Sequence, residues 1–228
     1  MKKILLFVLF SVCCISLTYA QLGVGQQLPN NNFESWRNET GSYTAPENWH
    51  SVNTATGTLA SVAKSDFISS QSAHPGGTGS LCARVTSKTV YFKTANGSLS
   101  TGRFHVGNAT PSNTANCSYT TTTSGYNHQF TAYPDSIYIW VYTSHKSSST
   151  NSRFNIVIHN NVKSSGASNN AIYQDPTPSS ASASVVNTTG TVNDGKVVAK
   201  VTWNGRSAGK WTQLKLPFSY TSNNTTPS

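Results

Sequence analysis

The sequence predicts an all-β fold, a β-sandwich, on three observations. Helical periodicity is nearly absent, apolar and polar residues alternate along several short runs, and segments rich in Gly, Pro, Ser, Thr and Asn separate those runs. Period-two alternation marks a strand with one buried face. Several such runs between turn-rich breaks indicate a sandwich or barrel rather than a helical chain.

The first element is not part of that fold. Lys2 and Lys3, the apolar stretch 4–17 and the close Thr18-Tyr19-Ala20 have the layout of a secretory signal peptide over residues 1–20. The stretch is shorter than the roughly 20 residues a spanning helix needs. Residues 21–228 are therefore expected as one exported β-sandwich domain, in the periplasm, on the cell surface or outside, with no integral membrane segment. A lipid anchor at Cys13 or Cys14 is the other reading of this leader. An undivided sandwich of this length is ordinary and has room for a sizeable core.

Charge narrows the partner. Sixteen Lys and Arg face seven Asp and Glu, for a formal net charge of +9. The densest basic stretch, Lys196, Lys200, Arg206, Lys210 and Lys215, is interrupted by Val, Trp and Gly, as on a solvated strand face. In an exported protein such an excess argues against nucleic acid and leaves acidic polysaccharide open.

The strands follow in order. Leu81, Ala83 and Val85 oppose Cys82, Arg84 and Thr86, just after the turn cluster His74-Pro75-Gly76-Gly77-Thr78-Gly79. Ile137, Ile139 and Val141 oppose Tyr138, Trp140 and Tyr142; after a polar loop over 143–152, Phe154, Ile156 and Ile158 oppose Asn155, Val157 and His159. Residues 163–170 are a second polar loop, and 175–183 a Pro/Ser/Ala-rich excursion rather than a domain boundary. Asn193-Asp194-Gly195 is a hairpin turn between Val192 and Val197. Leu214, Leu216 and Phe218 then oppose Gln213, Lys215 and Ser219.

Beyond the leader only Cys82 and Cys117 remain. One pair in an oxidising compartment suggests one disulfide, whose loop closure contributes about 3–4 kcal/mol on the chain-entropy estimate. Two unbridged thiols are the alternative, because strand parity alone does not bring the sulfurs together.

Several fragments, taken in sequence, carry a resemblance. They are Leu28-Pro29-Asn30 leading into Phe33-Glu34-Ser35-Trp36, then Pro46-Glu47-Asn48-Trp49, Gly79-Ser80-Leu81 and 96–104. Pro134-Asp135-Ser136-Ile137, Lys210-Trp211-Thr212-Gln213 and Pro217-Phe218-Ser219-Tyr220 complete the set. In this order the chain resembles the bacterial family of carbohydrate metabolism domains, kin to the jelly-roll carbohydrate-binding modules. The resemblance implies a jelly-roll sandwich and a carbohydrate connection, without a defined reaction. In similar modules an acid at the place of Glu34 helps to hold a structural Ca2+, together with carbonyls and an acid from the last strand. Relatives continue past the position of Ser228 with a strand bearing paired aspartates, so either the sequence is a fragment or the sandwich lacks its final strand. An ordinary solvated or capping carboxylate is the other role for Glu34, since calcium needs six to eight oxygens.

Tyr138, Trp140 and Tyr142 are the candidate carbohydrate-binding residues. Alternation sends all three rings to one face, where they can stack on sugar rings while Asn155 and His159, from the next strand, bond hydroxyls. The competing expectation buries both faces under a loop. Phe33, Trp36 and Trp49 are expected to plug one end of the sandwich, since large aromatics dominate core burial.

An enzyme finds less support. A glycosidase normally needs two carboxylates about 5–9.5 Å apart. The acids here, Glu34, Glu39, Glu47, Asp66, Asp135, Asp175 and Asp194, lie mostly in turns and polar loops. No GxSxG, HExxH or P-loop pattern occurs. The expectation is an exported, non-catalytic binder of oligo- or polysaccharide. A glycoside hydrolase or polysaccharide-processing accessory is one alternative, and a structural surface or adhesion sandwich is the other.

Overall fold

A computed structural model describes residues 26–220, except 78, 91, 111, 112, 114, 122–124, 146, 149, 160–170 and 177–196. The leader, the 163–170 loop, the Asn193-Asp194-Gly195 turn and residues 221–228 lie outside the described residues.

The described chain is all-β, with no α-helix and one short 3-10 turn at Val52–Thr54. Its strands pair antiparallel, and none of the sheets closes on itself. β1 (Trp36–Thr40) pairs with β2 (Tyr43–Pro46), β3 (Ile68–Ser72) with β4 (Leu81–Val85), and β5 (Lys88–Val90) with β6 (Lys93–Ala95). β8 (Asn116–Thr121) lies between β7 (Arg103–Val106) and β11 (Ala171–Pro176). β12 (Val197–Gly205) lies between β10 (Ser152–His159) and β14 (Ser219–Tyr220). β9 (Ser136–Val141) pairs only with β13 (Thr212–Pro217) among the described strands.

Two of these placements differ from the sequence reading. Asp175 and Pro176, expected in the Pro/Ser/Ala-rich excursion, instead end a strand over 171–176 that pairs with β8, and the rest of that excursion lies outside the described residues. Propensity alone gave no warning of it, since Gln174, Asp175 and Pro176 are poor strand formers. The strand after β9 does not lie beside it either. β10 joins β12, leaving β9 to the distant β13.

Burial is concentrated rather than continuous. Phe67 is fully buried, with Ile68, Phe104 and Ala45 also in the interior. Ile158, Val198 and Ala199 form a second cluster, closed by the half-buried Phe130 and Phe218. It arises where β10 and β12 set Ile158 opposite Ala199.

The N-terminal motif is a staple. Asn30 adopts a left-handed φ of 46°, and its amide donates to the carbonyls of Ser35 at 2.8 Å and Glu47 at 3.2 Å. Asn tolerates that region because its side chain bonds locally. The Trp49 indole donates to the Pro29 carbonyl at 2.8 Å, and its ring meets Phe33 at 5.3 Å. Trp36 donates to the Phe33 carbonyl at 2.6 Å. The three aromatics are half-buried and hold the entry segment against β2.

The bridge expected between Cys82 and Cys117 is not formed. Cys82 is on β4, where its thiol donates to the Ser72 carbonyl at 3.4 Å, whereas Cys117 is buried in β8, in another sheet. Alternation assigned a face to Cys82 but read no strand at Cys117, and a local pattern does not say which strands become neighbours.

Behind the staple lies a buried polar network. Arg37 donates to the Trp49 carbonyl and to His50 Nδ1, each at 2.8 Å, and lies 3.7 Å from Glu39. The opposite ring nitrogen of His50 donates to the Gly125 carbonyl at 2.7 Å, and the ring packs against Tyr126 at 4.3 Å. His50 is thus fully satisfied as a neutral imidazole. Burial pushes its pKa down from 6.5 to about 4, the Gly125 bond opposes that, and Arg37 and Arg103 add to it.

The sign of the pH dependence follows. Unfolded His50 takes up a proton near pH 6.5 and folded His50 does not, so acid favours the unfolded chain in that window. Stability is expected to be full above about pH 6.5 and to fall by about 2–3 kcal/mol by about pH 4. Urea denaturation of wild type and His50→Gln across this range measures it. A wild-type curve no steeper than the variant's would assign the acid sensitivity elsewhere.

Candidate functional site

The β9–β13 ladder carries the candidate site. Antiparallel register sets Tyr138 opposite Lys215, Trp140 opposite Gln213, Ile139 opposite Leu214 and Ile137 opposite Leu216. Directly opposite residues share a face. One face is therefore aliphatic and half-buried, and the other aromatic and polar. Tyr138, Trp140 and Tyr142 are 58%, 43% and 52% exposed. Rings of this size left in water on neighbouring positions form a patch of the kind that normally meets a partner.

Two further rings join the face. His74, from the β3–β4 connection, stacks on Trp140 with centroids 4.0 Å apart and planes 27° from parallel. Trp211, at the entry to β13, lies 5.7 Å from Tyr142 and 5.8 Å from His74. Lys215 sits over Tyr138 at 5.5 Å, a cation–π distance. These contacts fix the rings before any ligand arrives, which limits the ordering entropy that binding must overcome.

The sequence reading missed these partners. His74 fell in a cluster read only as a turn. For Trp211 the signal was present, since alternation groups Trp211, Gln213 and Lys215 on one face. Asn155 and His159 are not brought to the rings' sheet. Asn155 Oδ1 accepts from Thr202 at 2.8 Å across β10–β12, and His159 Nε2 is 3.0 Å from the Thr120 hydroxyl of β8. The polar positions on the β9–β13 ladder are Gln213 and Lys215 instead.

One end of the face opens into a cleft of about 250 Å³ lined by Thr143, Ser144, His145, Arg206, Ala208 and Gly209. Its rim is the four-residue turn from Ser207 to Lys210, closed by a 3.2 Å bond from the Lys210 N–H to the Ser207 carbonyl. Ala208 and Gly209 have φ of 53° and 71°. Two positive central φ values make a tight turn, and glycine takes the second at no steric cost. Thr143 and Ser207, both buried, each donate a backbone N–H to the other's hydroxyl, at 2.6 and 2.7 Å. That reciprocal clasp holds the turn to the chain leaving β9.

Glu34 has a structural role. Its oxygens accept from the Leu81 N–H at 2.7 Å and the Ser80 hydroxyl at 2.8 Å. The Leu81 bond, then the Ser80 bond, lowers its pKa. Gly79 lies against this carboxylate so closely that any Cβ there would collide with it. Glu34 is engaged by donors, and no group of three or more His, Cys, Asp or Glu side chains comes together among the described residues. Glu39, another of the acids, is sealed from solvent and bonded to Ser51. Among the described residues the cleft lining contains no carboxylate.

No family model, curated protein or solved structure matches the chain. Among the described residues no helix is long and apolar enough to cross a membrane. The functional reading therefore rests on the site itself.

Proposed function

We propose that this protein binds a glycan without transforming it, using the aromatic face of β9 and β13. The observation that carries the reading is the exposed, contiguous set Tyr138, Trp140 and Tyr142, braced by Trp211 and His74. Flat rings suit the apolar faces of pyranoses, and Gln213 and Lys215 supply hydrogen-bonding groups on the same face. The jelly-roll sandwich belongs to the same proposal, with the antiparallel sheets as its layers and the leader as its route of export.

Binding to a glycan array, followed by calorimetry on the hits, tests the reading. Trp140→Ala is expected to weaken affinity by about thirtyfold or more, the usual cost of removing a central aromatic anchor. The melting temperature should barely change, because the ring is not part of the interior. Unchanged affinity in a folded variant would remove the face from consideration. Release of reducing ends from a polysaccharide would instead favour a hydrolase.

A further inference from the structure

The cleft beside the aromatic face is polar and cationic, unlike the stacking surface it adjoins. Arg206 is set by two hydrogen bonds, Nε to the Asn151 side-chain oxygen at 3.1 Å and Nη2 to the Ser147 carbonyl at 2.9 Å. A guanidinium carries five N–H donors, so these bonds orient the fork without exhausting it. No Asp or Glu lies within ion-pair distance of Arg206 among the described residues. His145 lines the same cleft and is held 3.1 Å from the Ser152 hydroxyl.

Cleft and stacking face are continuous. A Cβ placed on Gly209 would come within 4.0 Å of the Tyr142 hydroxyl, and Tyr142 packs against Trp211. A sugar stacked at this end therefore has Arg206 and His145 beside it. Lys215, over Tyr138, adds a second cation towards the other end. Beyond the leader fourteen basic face seven acidic side chains, so the wider field of the protein also attracts anions.

We propose that the glycan is anionic, and that the Arg206 cleft takes the carboxylate or sulfate ester of one sugar unit while a neighbouring unit stacks on Tyr142 and Trp211. This deepens the glycan-binding reading and rests on it. A planar guanidinium fork matches either group with two parallel charge-assisted bonds. The Thr143–Ser207 clasp and the tight turn fix the cleft wall before the ligand arrives.

The test uses the full chain and skeleton-matched probes: oligomers of galacturonic, mannuronic and glucuronic acid, their methyl esters, and sulfated galactan oligomers beside unsulfated ones. At least one anionic oligomer is expected to bind about tenfold more tightly than its neutral partner, with the preference shrinking as salt rises. Arg206→Gln should remove that preference. Lys93→Gln, an equal change of charge on the β5–β6 hairpin, should keep it. Thermal melting confirms that both variants fold, and the wild-type comparison of acid with ester needs no variant. Equal affinity for neutral and anionic members overturns the inference and leaves the aromatic face standing. Binding to none of the probes and to nothing on the array overturns both. A preference that survives Arg206→Gln overturns the assignment to the cleft.

Discussion

Replacing Glu39 with alanine is expected to destabilise the fold by about 3–5 kcal/mol, the usual cost of breaking a buried ionic arrangement by removing one partner. The Glu39 side chain is entirely screened from solvent. One oxygen accepts the Ser51 N–H at 2.8 Å and the other takes the Ser51 hydroxyl in a very short bond. Ser51 is itself fully buried, and its hydroxyl accepts the Asn53 N–H at 3.1 Å at the start of the 3-10 turn. Alanine would orphan two buried donors and leave Arg37 without its partner on β1, and each orphaned group costs about 1–3 kcal/mol. Urea denaturation of Glu39→Ala, Ser51→Ala and the double variant measures the coupling. Strictly additive losses would show that the two side chains do not act as a unit.

Phe67→Ala is expected to cost a similar 3–5 kcal/mol by a different route, the loss of apolar burial together with the cavity left behind. Phe67 is the largest of the fully buried side chains. It stands immediately before β3, with its carbonyl accepting the Thr86 N–H at 2.8 Å where β3 and β4 end their pairing. The described core is divided into small clusters, so little neighbouring mass is available to collapse into the void. Phe67→Leu, nearer in volume, should lose less than half as much. Equal losses from the two substitutions would mean that shape complementarity, rather than volume, sets the cost. A loss under about 1 kcal/mol for alanine would contradict the burial.

The two networks serve different ends. Glu39, Ser51, Arg37 and His50 lock the first third of the chain, which includes the staple built by Asn30, Phe33 and Trp49. The Thr143–Ser207 clasp acts far along the sequence, where it shapes the cleft wall. Acid conditions act on the first network through His50.

The sequence by itself determined the class of fold and the faces of its strands. Alternation depends only on the two-residue period of an extended chain, so Tyr138, Trp140 and Tyr142 share a side wherever their strand lies. The same reasoning put Lys215 and Gln213 on one side of theirs. What only the tertiary structure decided was adjacency: that β9 pairs with β13 some 70 residues on, that β10 carries Asn155 and His159 into another sheet, and that Cys82 and Cys117 stand on separate strands. Adjacency also brings His74 onto Trp140 and sets Arg206 at the end of the aromatic row. Strand pairing is chosen by how distant apolar faces close over one another, and a local pattern carries no record of that choice.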